Sequence, residues 1–136
     1  MAASVLVDAG FLVALLVERD ANHRWAADLG PRLALPWKTC EAALTETFHL
    51  LGAAGRPALG EVLSNRIVVC DFDLNLQIDS VLMLLRKYAD IPMSLADACL
   101  VRMTETIPDS ILYTTDSDFR IYRRHGNKTI HCLMPN

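Results

Sequence analysis

The sequence predicts a three-layer α/β sandwich around a central, mainly parallel sheet of about five strands. Three observations predict it. Short apolar runs rich in Val, Ile and Leu alternate along the chain with stretches of helical character. Those runs are continuous rather than alternating, as in strands covered on both faces. The composition, 52% hydrophobic and 21% charged over 136 residues, is that of a folded chain with a sizeable core. The length suits one domain, residues 1–136, with no repeat, linker or low-complexity segment.

The elements follow in order. Val5-Leu6-Val7 is a buried strand that stops at Asp8-Ala9-Gly10. Phe11 to Arg19 and Ala21 to Leu29 read as helices, the second stopped by Gly30-Pro31. Leu33-Ala34-Leu35, closed by Pro36, is the expected second strand. Thr39 is placed to cap a helix to about Ala54, broken by Gly55-Arg56-Pro57, with a short helix from Pro57 to Asn65. Ile67 to Cys70 is β-branched and predicts a third strand. Leu74 to Tyr88 is helical, with Leu74, Ile78, Val81, Leu82 and Leu85 on one face. Ser94-Leu95-Ala96-Asp97 has capping-box spacing, and its helix runs to about Thr106. Ile111 to Thr114 is a fourth strand, Thr115 to Asp118 a turn into a short helix ending near His125-Gly126, and Thr129 to Leu133 a last strand.

Composition limits the function. A net charge of −3 argues against a protein that grips nucleic acid by bulk positive charge, so any such chemistry relies on metal ions and local basic patches. Cys40, Cys70, Cys99 and Cys132 form no C-x-x-C pair and read as reduced thiols of a cytoplasmic protein. No apolar stretch reaches the roughly 18 residues of a membrane span. There is no Gly-rich phosphate loop and no Gly-x-Ser-x-Gly.

The acidic residues carry the chemistry. In a parallel α/β sheet, ligands bind beyond the carboxyl ends of the strands. Asp8 ends the first strand there, and Asp116 follows the fourth by two residues. Glu46 shares a helical face with Ala42, Ala43, Leu50 and Ala53, and Asp97 opens a helix apolar almost all round. Each has a plain structural explanation: Asp8 and Asp116 as caps or turn residues, Asp97 as part of the capping box, Glu46 as a paired helix residue. Brought together, the four would repel, and a divalent cation with all-oxygen ligands, Mg²⁺ or Mn²⁺, is the natural way to hold them.

Other residues carry less. Glu46-x-x-His49 has half the spacing of a carboxylate di-iron site, but no second copy exists. Asp71, Asp73 and Asp79 read as solvated, and Trp25 and Trp37 suit packing better than base stacking. Arg120, Arg123 and Arg124 follow Asp116. On a helix, Arg120 and Arg124 would share a face, as plain surface or as a clamp for an RNA phosphate.

The chain resembles PIN domains, the nuclease fold of VapC-type toxins, over its whole length. Val5 to Ala9 looks like the first family motif, Leu44 to Leu51 the second, Ser94 to Ala98 the third, and Leu112 to Phe119 the fourth, with Asp118 matching a frequent extra acid. The resemblance implies a metal-dependent endoribonuclease using Asp8, Glu46, Asp97 and Asp116, supported by Asp118, Thr114 and the backbone of Gly10. Many members carry Ser, Thr or Asn where this chain has Gly10. The resemblance further implies a homodimer and the toxin role of a type II toxin–antitoxin pair, with an antitoxin partner. A free-standing RNA-processing nuclease, a non-catalytic PIN-like interaction module and a small-ester phosphatase are the alternatives. The crowded apolar surface of Leu74 to Tyr88 independently points to a homodimer.

Overall fold

Successive side chains of a strand face opposite sides of its sheet, and this chain uses both sides. In the computed structural model, which describes residues 2–136, strand β1 (Ser4–Val7) sends Leu6 into one core and Val5 and Val7 into another. Strand β4 (Ser110–Tyr113) does the same with Leu112 on one side and Tyr113 on the other. The first core is closed by helices α4 (Leu74–Lys87) and α5 (Leu95–Thr106), the second by α1 (Ala9–Leu16) and α2 (His23–Leu29). Each fully buried Leu or Phe contributes about 1.5–3 kcal/mol, so two such cores explain why the strands are short yet continuous in apolar character.

With β2 (Trp37–Thr39), β3 (Val68–Cys70) and β7 (Cys132–Leu133), these strands form a five-stranded sheet in the order β3-β2-β1-β4-β7, parallel throughout. Helices on both faces make it the expected three-layer sandwich. No helix among the described residues is long and apolar enough to cross a membrane.

Five local expectations are corrected. The second strand is Trp37–Thr39, not Leu33–Leu35. Pro36 lies before the strand, where its missing N–H costs no ladder bond. Trp37 goes into the core edge-on to Phe11 (centroids 5.7 Å apart), while Leu35 stays 63% exposed. Thr39 is consequently a strand residue and not a cap: its hydroxyl donates to the Val7 carbonyl at 2.7 Å, and Cys40 takes the cap position of helix α3 (Glu41–Ser64). That helix is broken at Gly52, three residues before the expected point. There φ is +66°, a conformation that only glycine adopts cheaply.

On α4 the buried positions are Val81 and Leu84, one helical turn apart, while Ile78 and Leu82, expected on the buried face, are exposed. Finally, the helix expected after Asp116 stops at Arg120 as a 3-10 turn (Ser117–Arg120). The chain then forms a hairpin of β5 (Arg123–Arg124) and β6 (Lys128–Thr129). His125 and Gly126, both at positive φ, make its turn. Arg120 and Arg124 therefore share no helix face.

Candidate active site

Strand register assembles the first half of the site. Val7 pairs with Tyr113, so the residues that follow, Asp8 and Thr114, emerge side by side at the carboxyl edge of the sheet. Asp8 caps α1, its Oδ1 accepting from the Phe11 N–H at 3.0 Å. Its Oδ2 accepts from the Thr114 hydroxyl. The same hydroxyl oxygen accepts from the Asp116 N–H at 3.0 Å, so fully buried Thr114 links the two aspartates. Asp116 caps the 3-10 turn by accepting from the Asp118 N–H at 2.9 Å.

Two helices supply the other half. α3 leaves β2 at the same edge and carries Glu46 past the pocket. α5 begins with the expected capping box: the Asp97 N–H donates to Ser94 Oγ at 3.0 Å, and Asp97 Oδ2 accepts from the Ser94 N–H at 3.3 Å. The box fixes which turn of α5 faces the site. Asp8, Glu46, Asp97 and Asp116 all line one cavity of about 160 Å³, with Gly10, Thr115 and an apolar floor including Ala43, Ala96 and Leu100. Among the described residues, no Lys or Arg lines it.

The electrostatics follow from this crowding. Burial pushes the Asp8 carboxyl up to about 7, with the charges of Asp116 and Asp97 adding to it and the Thr114 and Phe11 hydrogen bonds opposing it. Half-buried Asp97 is raised, by burial first and by Asp116 as well. Glu46, the most exposed of the four, is raised by partial desolvation and by Asp97 and Asp116. In all three, burial is the leading cause and the neighbouring carboxylates add to it.

The donor set, all oxygen and all acidic, fits a hard divalent cation. The carboxylates are not gathered around one point, however: among the described residues, no group of three or more acidic, His or Cys side chains is disposed to hold a metal ion. Asp8 is turned onto protein donors with both oxygens, and Asp97 and Asp116 with one each. The four acids line one cavity without being drawn together in it.

The remaining sequence candidates divide. Gly10 lines the cavity, and Thr114 holds Asp8. Asp118 contributes its backbone N–H to Asp116. Arg120 is exposed on the same turn. Arg124 is bound elsewhere: its guanidinium donates to the carbonyls of Thr104 and Pro108, by the C-terminal end of α5, opposite the end that carries Asp97. His49 lines a shallow groove with Ser94 and Leu95 on the rim beside Glu46. Asp71 pairs with Lys38 at 3.3 Å and Asp73 caps α4, both away from the cavity. Trp25 and Trp37 both pack edge-on to Phe11.

Sequence reasoning missed two residues. Thr115 lines the cavity, and the buried Tyr122 donates its hydroxyl to Asp97 Oδ2 at 3.1 Å. Neither has a sequence signal of its own, because both contacts arise only when α5, β4 and the segment after it are packed together.

Among solved structures, this fold is similar to that of Mycobacterium tuberculosis VapC20, described as a sarcin–ricin loop cleaving toxin. The TM-score is 0.75, over 85% of this chain and 92% of that one, at 23% sequence identity. The chain has the PIN-domain fold. No family model and no curated protein matches it by sequence. Within the PIN fold, the edge where Asp8 and Asp116 emerge is the carboxyl edge of the sheet, the usual position of sites in parallel α/β proteins.

Proposed function

We propose that this chain is an endoribonuclease that hydrolyses RNA phosphodiesters with the aid of Mg²⁺ or Mn²⁺. One observation carries the reading: four carboxylates from four different elements line one cavity with no basic side chain among them. A fold needing only helix caps has no reason to bring Glu46 and Asp97 to the same place as Asp8 and Asp116. The fold shared with VapC20, itself described as cleaving the sarcin–ricin loop, supports the substrate class.

Asp8, Asp97 and Asp116 would hold the cation, with Glu46 reaching it directly or through water. Bound there, the cation supplies Lewis-acid charge to the phosphodiester and activates water for attack. The protein's own residues fix the geometry. Thr114 keeps Asp8 and Asp116 in register, and Asp118 orients Asp116 through its N–H. The apolar floor lowers the local dielectric, which strengthens every charge interaction with the substrate phosphate. Arg120, exposed beside Asp118, would take a neighbouring RNA phosphate. No side-chain nucleophile is required.

As a cytoplasmic toxin of a type II pair, the chain would have an antitoxin as partner; as a free-standing RNA-processing enzyme it would have none. A homodimer through α4 belongs to this reading, because Leu76 and Met83, seven residues apart on one face, are 76% and 63% exposed.

A second reading, a non-catalytic interaction module, is favoured by one fact: among the described residues, no group of three or more acidic, His or Cys side chains is disposed to hold a metal ion. Cleavage of a mixed RNA pool in millimolar Mn²⁺ against chelator separates the two. We expect metal-dependent cleavage by the wild type. Asp97→Asn should lose about 100-fold or more, beyond the 10- to 100-fold typical of residues that only support a ligand. A chromogenic phosphate monoester should not be turned over. Folded wild type that leaves RNA intact at every metal concentration would return the chain to the interaction module.

A further inference from the structure

Tyr122 is fully buried, and a buried phenol needs a partner for its hydroxyl. It has one, Asp97 Oδ2 at 3.1 Å. Its ring is fixed from two sides: Tyr88 and Phe119 meet it edge-on, with centroids 5.1 and 5.3 Å away. Tyr88 is anchored in turn, its hydroxyl accepting from the Arg123 N–H at 2.8 Å. The phenol oxygen is thus delivered to one point by packing. Tyr122 also lies two residues beyond the 3-10 turn that Asp116 caps, so its hydrogen bond ties the Asp97 helix to the Asp116 segment.

The bond sorts the two oxygens of Asp97. Oδ2 accepts from both Tyr122 and the Ser94 N–H, while Oδ1 accepts from no protein donor among the described residues. We propose that Tyr122 is a positioning residue for Asp97: by committing Oδ2 to the protein it presents Oδ1 to the cavity as the oxygen that takes a divalent cation. A phenol suits this task because it is a neutral donor. A Lys or Arg in its place would compete with the cation as a counter-charge. The inference rests on the metal-dependent reading above and adds to it the residue that sets the orientation of one ligand.

Tyr122→Phe tests it, because the change keeps the ring and its edge contacts and removes only the hydroxyl. The probe is Mn²⁺ alone, titrated calorimetrically into the intact chain at fixed pH. The dissociation constant should rise about 10-fold, the scale found when a supporting partner of a metal ligand is lost. In the Asp97→Asn background the same change should have no further effect, since the two residues act as one unit. In cleavage assays kcat should fall at subsaturating Mn²⁺ and recover when Mn²⁺ is raised, with the KM for RNA unchanged. Tyr88→Phe serves as the control for losing a buried hydroxyl from the same aromatic cluster: it keeps the ring against Tyr122 and removes only the bond to the Arg123 N–H, so its Mn²⁺ affinity should match wild type.

Wild-type Mn²⁺ affinity in Tyr122→Phe would overturn the proposal and leave the nuclease reading standing. So would equal weakening in Tyr88→Phe, which would assign the effect to the aromatic cluster rather than to the bond to Asp97. A wild-type chain that binds no Mn²⁺ would overturn both.

Discussion

The hydroxyl of Thr115 occupies the place where Gly10 would carry a side chain. A β-carbon built on Gly10 lies 2.1 Å from Thr115 Oγ1, far inside van der Waals contact. Gly10 is therefore fixed by its neighbour across the sheet edge rather than by its own backbone. Gly10→Ala should destabilise the protein by about 1–3 kcal/mol, the usual cost of overpacking. Adding Thr115→Ala should restore most of that. Recovery should be incomplete, because the β-carbon of residue 115 still stands 3.3 Å away. Thermal unfolding of the single and double variants measures this, and an unaltered melting temperature in Gly10→Ala would mean that Thr115 simply rotates aside.

Asp97→Asn should separate repulsion from ligation. Asp97 lies among like charges that raise its carboxyl and that of Glu46. Removing its charge relieves that repulsion, and Asn retains an oxygen able to accept from Ser94 and Tyr122. In chelator, the variant should melt at or above the wild-type temperature. In millimolar Mn²⁺, the wild type should rise and the variant should not, because ligand-linked stabilisation, about 2.7 kcal/mol at a hundred times Kd, requires the site. A full Mn²⁺-induced shift in the variant would reduce Asp97 to a helix cap.

Asp8 sets a pH dependence whose sign is opposite to that of most carboxylates. Its folded pKa of about 7 lies above the ordinary value of 3.8, so between these limits the folded state binds more protons than the unfolded. Metal-free stability should therefore fall as pH rises from about 4 to about 7, and the raised Glu46 and Asp97 act in the same direction. Asp8→Asn should flatten the profile. Stabilisation by Mn²⁺ should run the other way, growing towards neutral pH as the competing proton leaves. Denaturant unfolding at a series of pH values, with and without metal, checks both slopes. A metal-free stability that climbs over this range would contradict the burial assigned to Asp8.

The two arginines expected to act together should now part. Arg124→Ala removes donors to the Thr104 and Pro108 carbonyls and should cost about 1 kcal/mol of stability while leaving RNA binding intact. Arg120→Ala should leave stability unchanged and reduce the slope of log K against log salt by about 0.7, one phosphate contact on a single strand. Fluorescence anisotropy at several salt concentrations, beside thermal melts, distinguishes the roles. A salt slope that changes only in Arg124→Ala would reverse them.

The exposed stripe on α4 carries the dimer prediction. Val81 and Leu84 satisfy the core, leaving Leu76 and Met83 outside it. Light scattering should give about twice the 15.1 kDa chain mass, and Leu76→Glu with Met83→Glu should return it to one chain mass without loss of helix content. A wild type of one chain mass at tens of micromolar would remove the prediction.

The sequence by itself determined the layers. Runs such as Val5-Leu6-Val7 and Ile111-Leu112-Tyr113 are apolar on both alternating faces, and only a sheet covered on both sides consumes them. It also determined the capping box at Ser94 and Asp97, because both partners lie within one helical turn. Where local signals competed, the sequence left the outcome open. Three breakers, Gly52, Gly55 and Pro57, fall within one stretch, and the chain bends at the first. Leu33–Leu35 has the apolar run of a strand and Thr39 the look of a cap, but the strand formed at Trp37–Thr39, where Trp37 could pack against Phe11 and Thr39 could reach Val7.

Only the tertiary structure decided how the acids relate. Asp8 and Asp116 are 108 residues apart, and it is the pairing of Val7 with Tyr113 that sets them on either side of Thr114. The Tyr122 bond to Asp97 and the meeting of Thr115 with Gly10 likewise join residues distant in the chain. The reason is range: capping, turns and periodicity are set by neighbours a few residues away and are written locally. A site made of several strand ends and helix starts exists only once the sheet has fixed which ends lie together.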